Sequence, residues 1–90
     1  MSELLKKLEY RLSNEFEQID VNGLICFLLP SGAVANLIEF GEYKAIAAQY
    51  ADDITKAEKN IFEDGDLYFT EDMTEEEIFT ALLEEMNENS

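Results

Sequence analysis

Residues 52–90 carry fourteen carboxylates, Asp52, Asp53, Glu58, Glu63, Asp64, Asp66, Glu71, Asp72, Glu75, Glu76, Glu77, Glu84, Glu85 and Glu88, against two bases, Lys56 and Lys59. That is a net charge of −12, and the seven acids and four bases of residues 1–51 add −3 to reach the chain total of −15. A carboxylate left unpaired in an apolar interior is costly, so any fold of this chain must keep most acids of its second half in water. It must also hold together against their mutual repulsion. A surface polarised in this way is suited to meeting something positive.

The chain nevertheless has the material to fold. With 47% hydrophobic and 11% aromatic residues, it is too apolar for an acidic disordered tail. Ninety residues make one domain, 1–90, with a thin core. Salt should stabilise it by screening, and a homodimer formed through an apolar face would bury more surface.

Leu5, Leu8, Leu12, Phe16 and Ile19 recur at steps of three and four, which predicts a helix over Ser2–Gln18 broken by Asp20-Val21-Asn22-Gly23. The run Leu24–Leu29 reads as a buried strand, and Pro30-Ser31-Gly32 as a turn leading into a second strand over Ala33–Phe40. After Gly41, the spacing of Tyr43, Ala47, Tyr50, Ile54, Ala57 and Ile61 predicts a helix over Glu42–Asn60. Glu63-Asp64-Gly65-Asp66 is a turn and Leu67-Tyr68-Phe69 an edge strand. Thr74 and Glu77 then form a capping box, with Met73 and Ile78 as its hydrophobic staple. The last helix buries Ile78, Phe79, Leu82 and Met86, and residues 87–90 are expected to fray. The fold class is α+β: a small, mainly antiparallel sheet with helices on one face, in the order α-β-β-α-β-α.

Most chemistries are excluded by what the chain lacks. Without histidine, neither a Ser-His-Asp nor a Cys-His arrangement can form, and no catalytic residue is assigned. The single Cys26 lies in an apolar run, reads as a small buried hydrophobe and suits a reducing, cytoplasmic compartment. No secretory h-region or stretch of membrane-spanning length is present. The segment from Asp64 to Glu75 alternates acids like a calcium loop, but its sixth position is Phe69 where glycine is required, so no metal or other cofactor is expected. Six scattered bases do not make a phosphate-binding surface, which argues against direct nucleic-acid binding.

What remains is the acidic surface. Glu75-Glu76-Glu77 complement a helix N-terminus, but Glu84, Glu85 and Glu88 lie toward the C-terminal end, where the helix dipole disfavours them. Carboxylates from Glu75 to Glu88 extend about 20 Å at 1.5 Å per residue. Duplex DNA presents a negative charge about every 1.7 Å. In size, charge and helix-borne glutamates, residues 52–90 resemble the DNA-mimic inhibitors that phages direct against restriction enzymes, CRISPR effectors or nucleoid proteins. The resemblance implies a non-enzymatic inhibitor that occupies a basic DNA-binding protein or nuclease of a host defence system. The acids expected to face that partner are Asp52, Asp53, Glu63, Asp64, Asp66, Glu71, Asp72, Glu75, Glu76, Glu77, Glu84, Glu85 and Glu88. An immunity protein or antitoxin capping a basic toxin is the alternative, and an acidic structural or scaffold subunit a second.

Overall fold

In the computed structural model, which describes residues 2–90, the first helix, α1, spans Glu3–Leu12. The Ser2 hydroxyl caps it, accepting the Leu5 N–H at 3.1 Å. The helix ends well short of Gln18. The Ser13 hydroxyl and the Asn14 amide both turn back to donate to the Tyr10 carbonyl, at 2.6 and 3.3 Å. Such short polar side chains offer the backbone an alternative to another helical turn. Phe16 still reaches the core, but from the connection, and Ile19 lies on a strand.

That strand, β1 (Glu17–Val21), pairs along its length with β2 (Leu24–Leu28). Asn22 and Gly23 between them both have positive φ, 54° and 85°. A two-residue Asn-Gly connection with this geometry matches the right-handed twist of a hairpin, so what reads as a helix breaker is a hairpin turn. The next connection is as expected: Gly32, at φ 95°, donates to the Leu29 carbonyl at 2.9 Å, and β3 (Val34–Phe40) follows.

The helix expected over Glu42–Asn60 is not formed. Ala45–Ala51 is strand β4, paired residue by residue with β3, and only Ile54–Glu58 is helical, as α2. Alanine is the best helix former, yet Ala45, Ile46, Ala47 and Ala48 are completely buried. A strand buried on both faces reads as a continuous apolar run, and that run also fits a helical period.

Strands β5 (Glu63–Asp64) and β6 (Tyr68–Phe69) pair in turn with the outer edge of β4, as one strand interrupted around Gly65. Helix α3 (Glu75–Glu88) begins at the expected capping box. Thr74 Oγ1 accepts the Glu77 N–H at 3.1 Å, and Glu77 Oε1 accepts the Thr74 N–H at 2.9 Å. Met73 packs on the cluster containing Ile78, as a staple would. The helix runs on to Glu88, and beyond it the Asn89 amide and Ser90 hydroxyl donate to the Glu85 and Met86 carbonyls.

The class is α+β with an antiparallel sheet, in the order α-β-β-β-β-α-β-β-α and with strand path β1-β2-β3-β4-β5. Helices α1 and α3 cover one face, burying Leu8, Leu12, Phe27, Ile46, Ile78, Leu82 and Met86 between them and the sheet. Contrary to expectation, α2 lies on the other face, where Ala57 closes over Val21, Cys26, Val34 and Ala51. Cys26 is fully buried there, and burial pushes its thiol up. Among the described residues, no helix is long and apolar enough to cross a membrane.

Candidate functional site

The interrupted strand brings acids from distant parts of the chain together. Gly65 donates its N–H to the Ala48 carbonyl at 2.8 Å, which seats the β5–β6 break beside α3. A Cβ at this position would run into the Glu85 carboxylate and lie 3.1 Å from the Ala48 carbonyl oxygen, so glycine is the residue that allows the approach. Around it opens a cleft of about 330 Å³ lined by Tyr50, Asp52, Glu63, Asp64, Gly65, Asp66, Glu85 and Asn89.

Glu85 organises the floor of this cleft. Its carboxylate accepts hydrogen bonds from the Tyr50 hydroxyl, from the Tyr68 hydroxyl at 2.8 Å and from the Asp66 N–H at 3.1 Å. Burial and the adjoining carboxylate push both phenols well above their ordinary value of 10.0, because ionising either would put a second negative charge beside Glu85. Glu85 is therefore an internal bracket tying α3 to β4 and the β5–β6 segment. The helix dipole does not favour a carboxylate there, and three donors supply the stabilisation it withholds.

The other acids expected at the partner surface divide in the same way. Arg11 reaches from α1 to Glu75 at 3.3 Å and Glu76 at 2.7 Å, and lies 3.9 Å above the centre of the Phe79 ring. The two glutamates hold its guanidinium above its ordinary value. Glu77 closes the capping box, Asp53 Oδ1 caps α2 by accepting the Lys56 N–H at 2.8 Å, and Asp52 pairs with Lys56 at 2.7 Å. Asp64 Oδ1 accepts from the Gln49 amide at 2.7 Å, and Glu71 sits 3.5 Å from Lys44.

Glu63, Asp66, Asp72, Glu84 and Glu88 have no cation or donor on their carboxylates among the described residues. At 100° per residue, Glu77, Glu84 and Glu88 share one exposed stripe of α3. The structure thus collects Asp52, Glu63, Asp64, Asp66 and Glu85 at the sheet edge and places the Glu77–Glu84–Glu88 stripe on the adjoining helix. Glu71, Asp72, Glu75 and Glu76 precede or begin that helix, and Asp53 stands apart at the start of α2. Among the described residues, no three carboxylates converge closely enough to hold a metal ion.

Tyr50, Tyr68, Gln49 and Gly65 shape the cleft and were not legible as site residues. The only local signal was a glycine between two acids. No protein-family model, curated protein or solved structure matches the chain.

Proposed function

We propose that this protein is a non-enzymatic inhibitor that acts in the cytoplasm by presenting its acidic edge to a basic DNA-binding protein or nuclease of a host defence system. The observation that carries this reading is the convergence on one edge of carboxylates from the residue after β4, from β5, from the Gly65 break and from α3, several of them without a cation. A potential of one sign spread over such an edge steers a positively charged partner and raises its association rate. The exposed α3 stripe of Glu77, Glu84 and Glu88 extends the negative surface along the adjoining helix. The concave cleft around Gly65 favours a second reading, an immunity protein or antitoxin capping a convex basic site without copying DNA.

The test is capture of partners at low salt, with parallel elution by salt and by duplex DNA. A nuclease or nucleoid protein released by DNA is expected for mimicry, whereas one toxin-like partner indifferent to DNA supports capping. Reversing Glu84 and Glu88 to lysine should slow association severalfold at low salt with no loss of stability, because neither carboxylate has a partner among the described residues and a cation suits this end of the helix. Binding that ignores both salt and these reversals would overturn the proposal.

A further inference from the structure

Glu9, on α1, is a buried acid at the far side of the sheet from the acidic edge. Leu5, Leu8 and Leu12 turn one face of this helix onto the core, and Glu9 stands on the flank of that stripe, only 7% exposed. No cation or side-chain donor reaches its carboxylate among the described residues, and burial raises the carboxyl above 4.5. Its oxygens are nevertheless not sealed in. The one unpartnered side-chain polar atom cut off from solvent among the described residues is Asn36 Oδ1.

The opening is a groove of about 370 Å³ between α1 and the β1–β2 hairpin, lined by Glu9 with Lys6, Tyr10, Ser13, Gln18 and Ile25. Gln18 stands across the ladder from Phe27, and Ile25 two residues before it, so both lie on the helix-covered face. Ile25 is 38% exposed and Tyr10 71%, which gives the groove an apolar wall beside the carboxylate. Lys6, one turn before Glu9, is exposed and makes no ion pair with it. An anion entering here would meet the negative charge of Glu9, and a neutral apolar group would complete the burial of that charge without giving it a donor. A cation on an apolar stem suits both the carboxylate and the wall. A guanidinium suits them best, because it is more weakly hydrated than an ammonium and meets a carboxylate with two parallel N–H groups.

We propose that this groove is a binding site for an alkyl guanidinium, free in solution or carried on an arginine side chain, with its charged end on the Glu9 carboxylate and its stem along Ile25 and Tyr10. The site lies at the β1 end of the strand path, opposite β5, and stands independently of the acidic-edge reading. Alone, the protein carries the cost of an unpaired buried carboxylate, and the ligand removes it, so binding also stabilises the fold.

Butylguanidinium and its uncharged counterpart of the same shape, butylurea, test this when titrated into the isotope-labelled full chain at neutral pH and about 0.1 M salt. The guanidinium should bind about tenfold or more tightly than the urea, as a hydrogen bond to a charged group allows, and should shift the Glu9 carboxyl carbon and the Ile25 methyls. Glu9→Gln, which keeps the shape and relieves the fold of a buried charge, should abolish that margin. A capped peptide with one Arg between glycines distinguishes the sources: binding at least as tight as butylguanidinium supports the site as one for a protein side chain, and its exclusion while butylguanidinium enters supports a free guanidine. Equal affinity for the two small compounds, a margin that persists in Glu9→Gln, or shifts confined to the Gly65 cleft and α3 would overturn the proposal. A Glu9 carboxyl carbon that moves in Lys6→Met without ligand would show Lys6 to be its counter-ion and overturn it as well.

Discussion

Glu85 is the residue at which charge and fold are joined. Three donors converge on its carboxylate, two of them tyrosine hydroxyls from β4 and β6. Glu85→Ala leaves those donors unsatisfied and should lower stability by about 1–3 kcal/mol in urea unfolding, with Tyr50→Phe and Tyr68→Phe each losing about 1 kcal/mol. Coupling in the corresponding double mutants is expected, because all three side chains share one network. The same network sets a limit at high pH. Tyr50 and Tyr68 have folded-state values above the unfolded 10.0, so the stability they contribute is complete below that pH and is lost as pH rises through the folded values. Unfolding monitored by phenolate absorbance should therefore release both protons together with the fold. Glu9 on α1 behaves in the opposite compartment of pH. It is 7% exposed, and burial raises its carboxyl above 4.5, so its favourable contribution belongs to acid pH and disappears on ionisation. Glu9→Gln should raise the unfolding midpoint at neutral pH and have little effect in acid.

At the scale of elements, the capping box of α3 and the Gly65 break have separable roles. Thr74→Ala should cost about 1 kcal/mol, the usual loss of an N-cap, without altering the acidic cleft. Gly65→Ala should disturb the cleft itself, since the added methyl meets Glu85 and the Ala48 carbonyl. The measurement that separates them is the chemical shift of the Tyr68 ring, unchanged in the first variant and moved in the second. Element identity was legible where a local signal stood alone, as at Pro30-Ser31-Gly32 and at Thr74. It failed in Ala45–Ala51, where burial on both faces made the apolar pattern fit two periods, and pairing with β3 decided the outcome. It failed again at Asn22-Gly23, where a hairpin signal was obscured by the helical spacing of Phe16 and Ile19 upstream.

For the whole molecule, the net charge of −15 opposes compaction, so raising salt from about 0.1 M to 1 M, which shortens screening from roughly 10 Å to 3 Å, should raise the melting temperature. A gain of about 1 kcal/mol corresponds to roughly 4–8 °C in a domain of this size. By itself the sequence determined the class, the capped C-terminal helix, the burial of Cys26 and the concentration of acid in residues 52–90, because composition, caps and charge are properties of short stretches. Only the tertiary structure decided which acids remain available. Arg11 takes up Glu75 and Glu76 across 64 and 65 residues, and tyrosines 35 and 17 residues away take up Glu85. Such partners are set by how strands pair and helices dock, and nothing in the local spacing of a carboxylate records them.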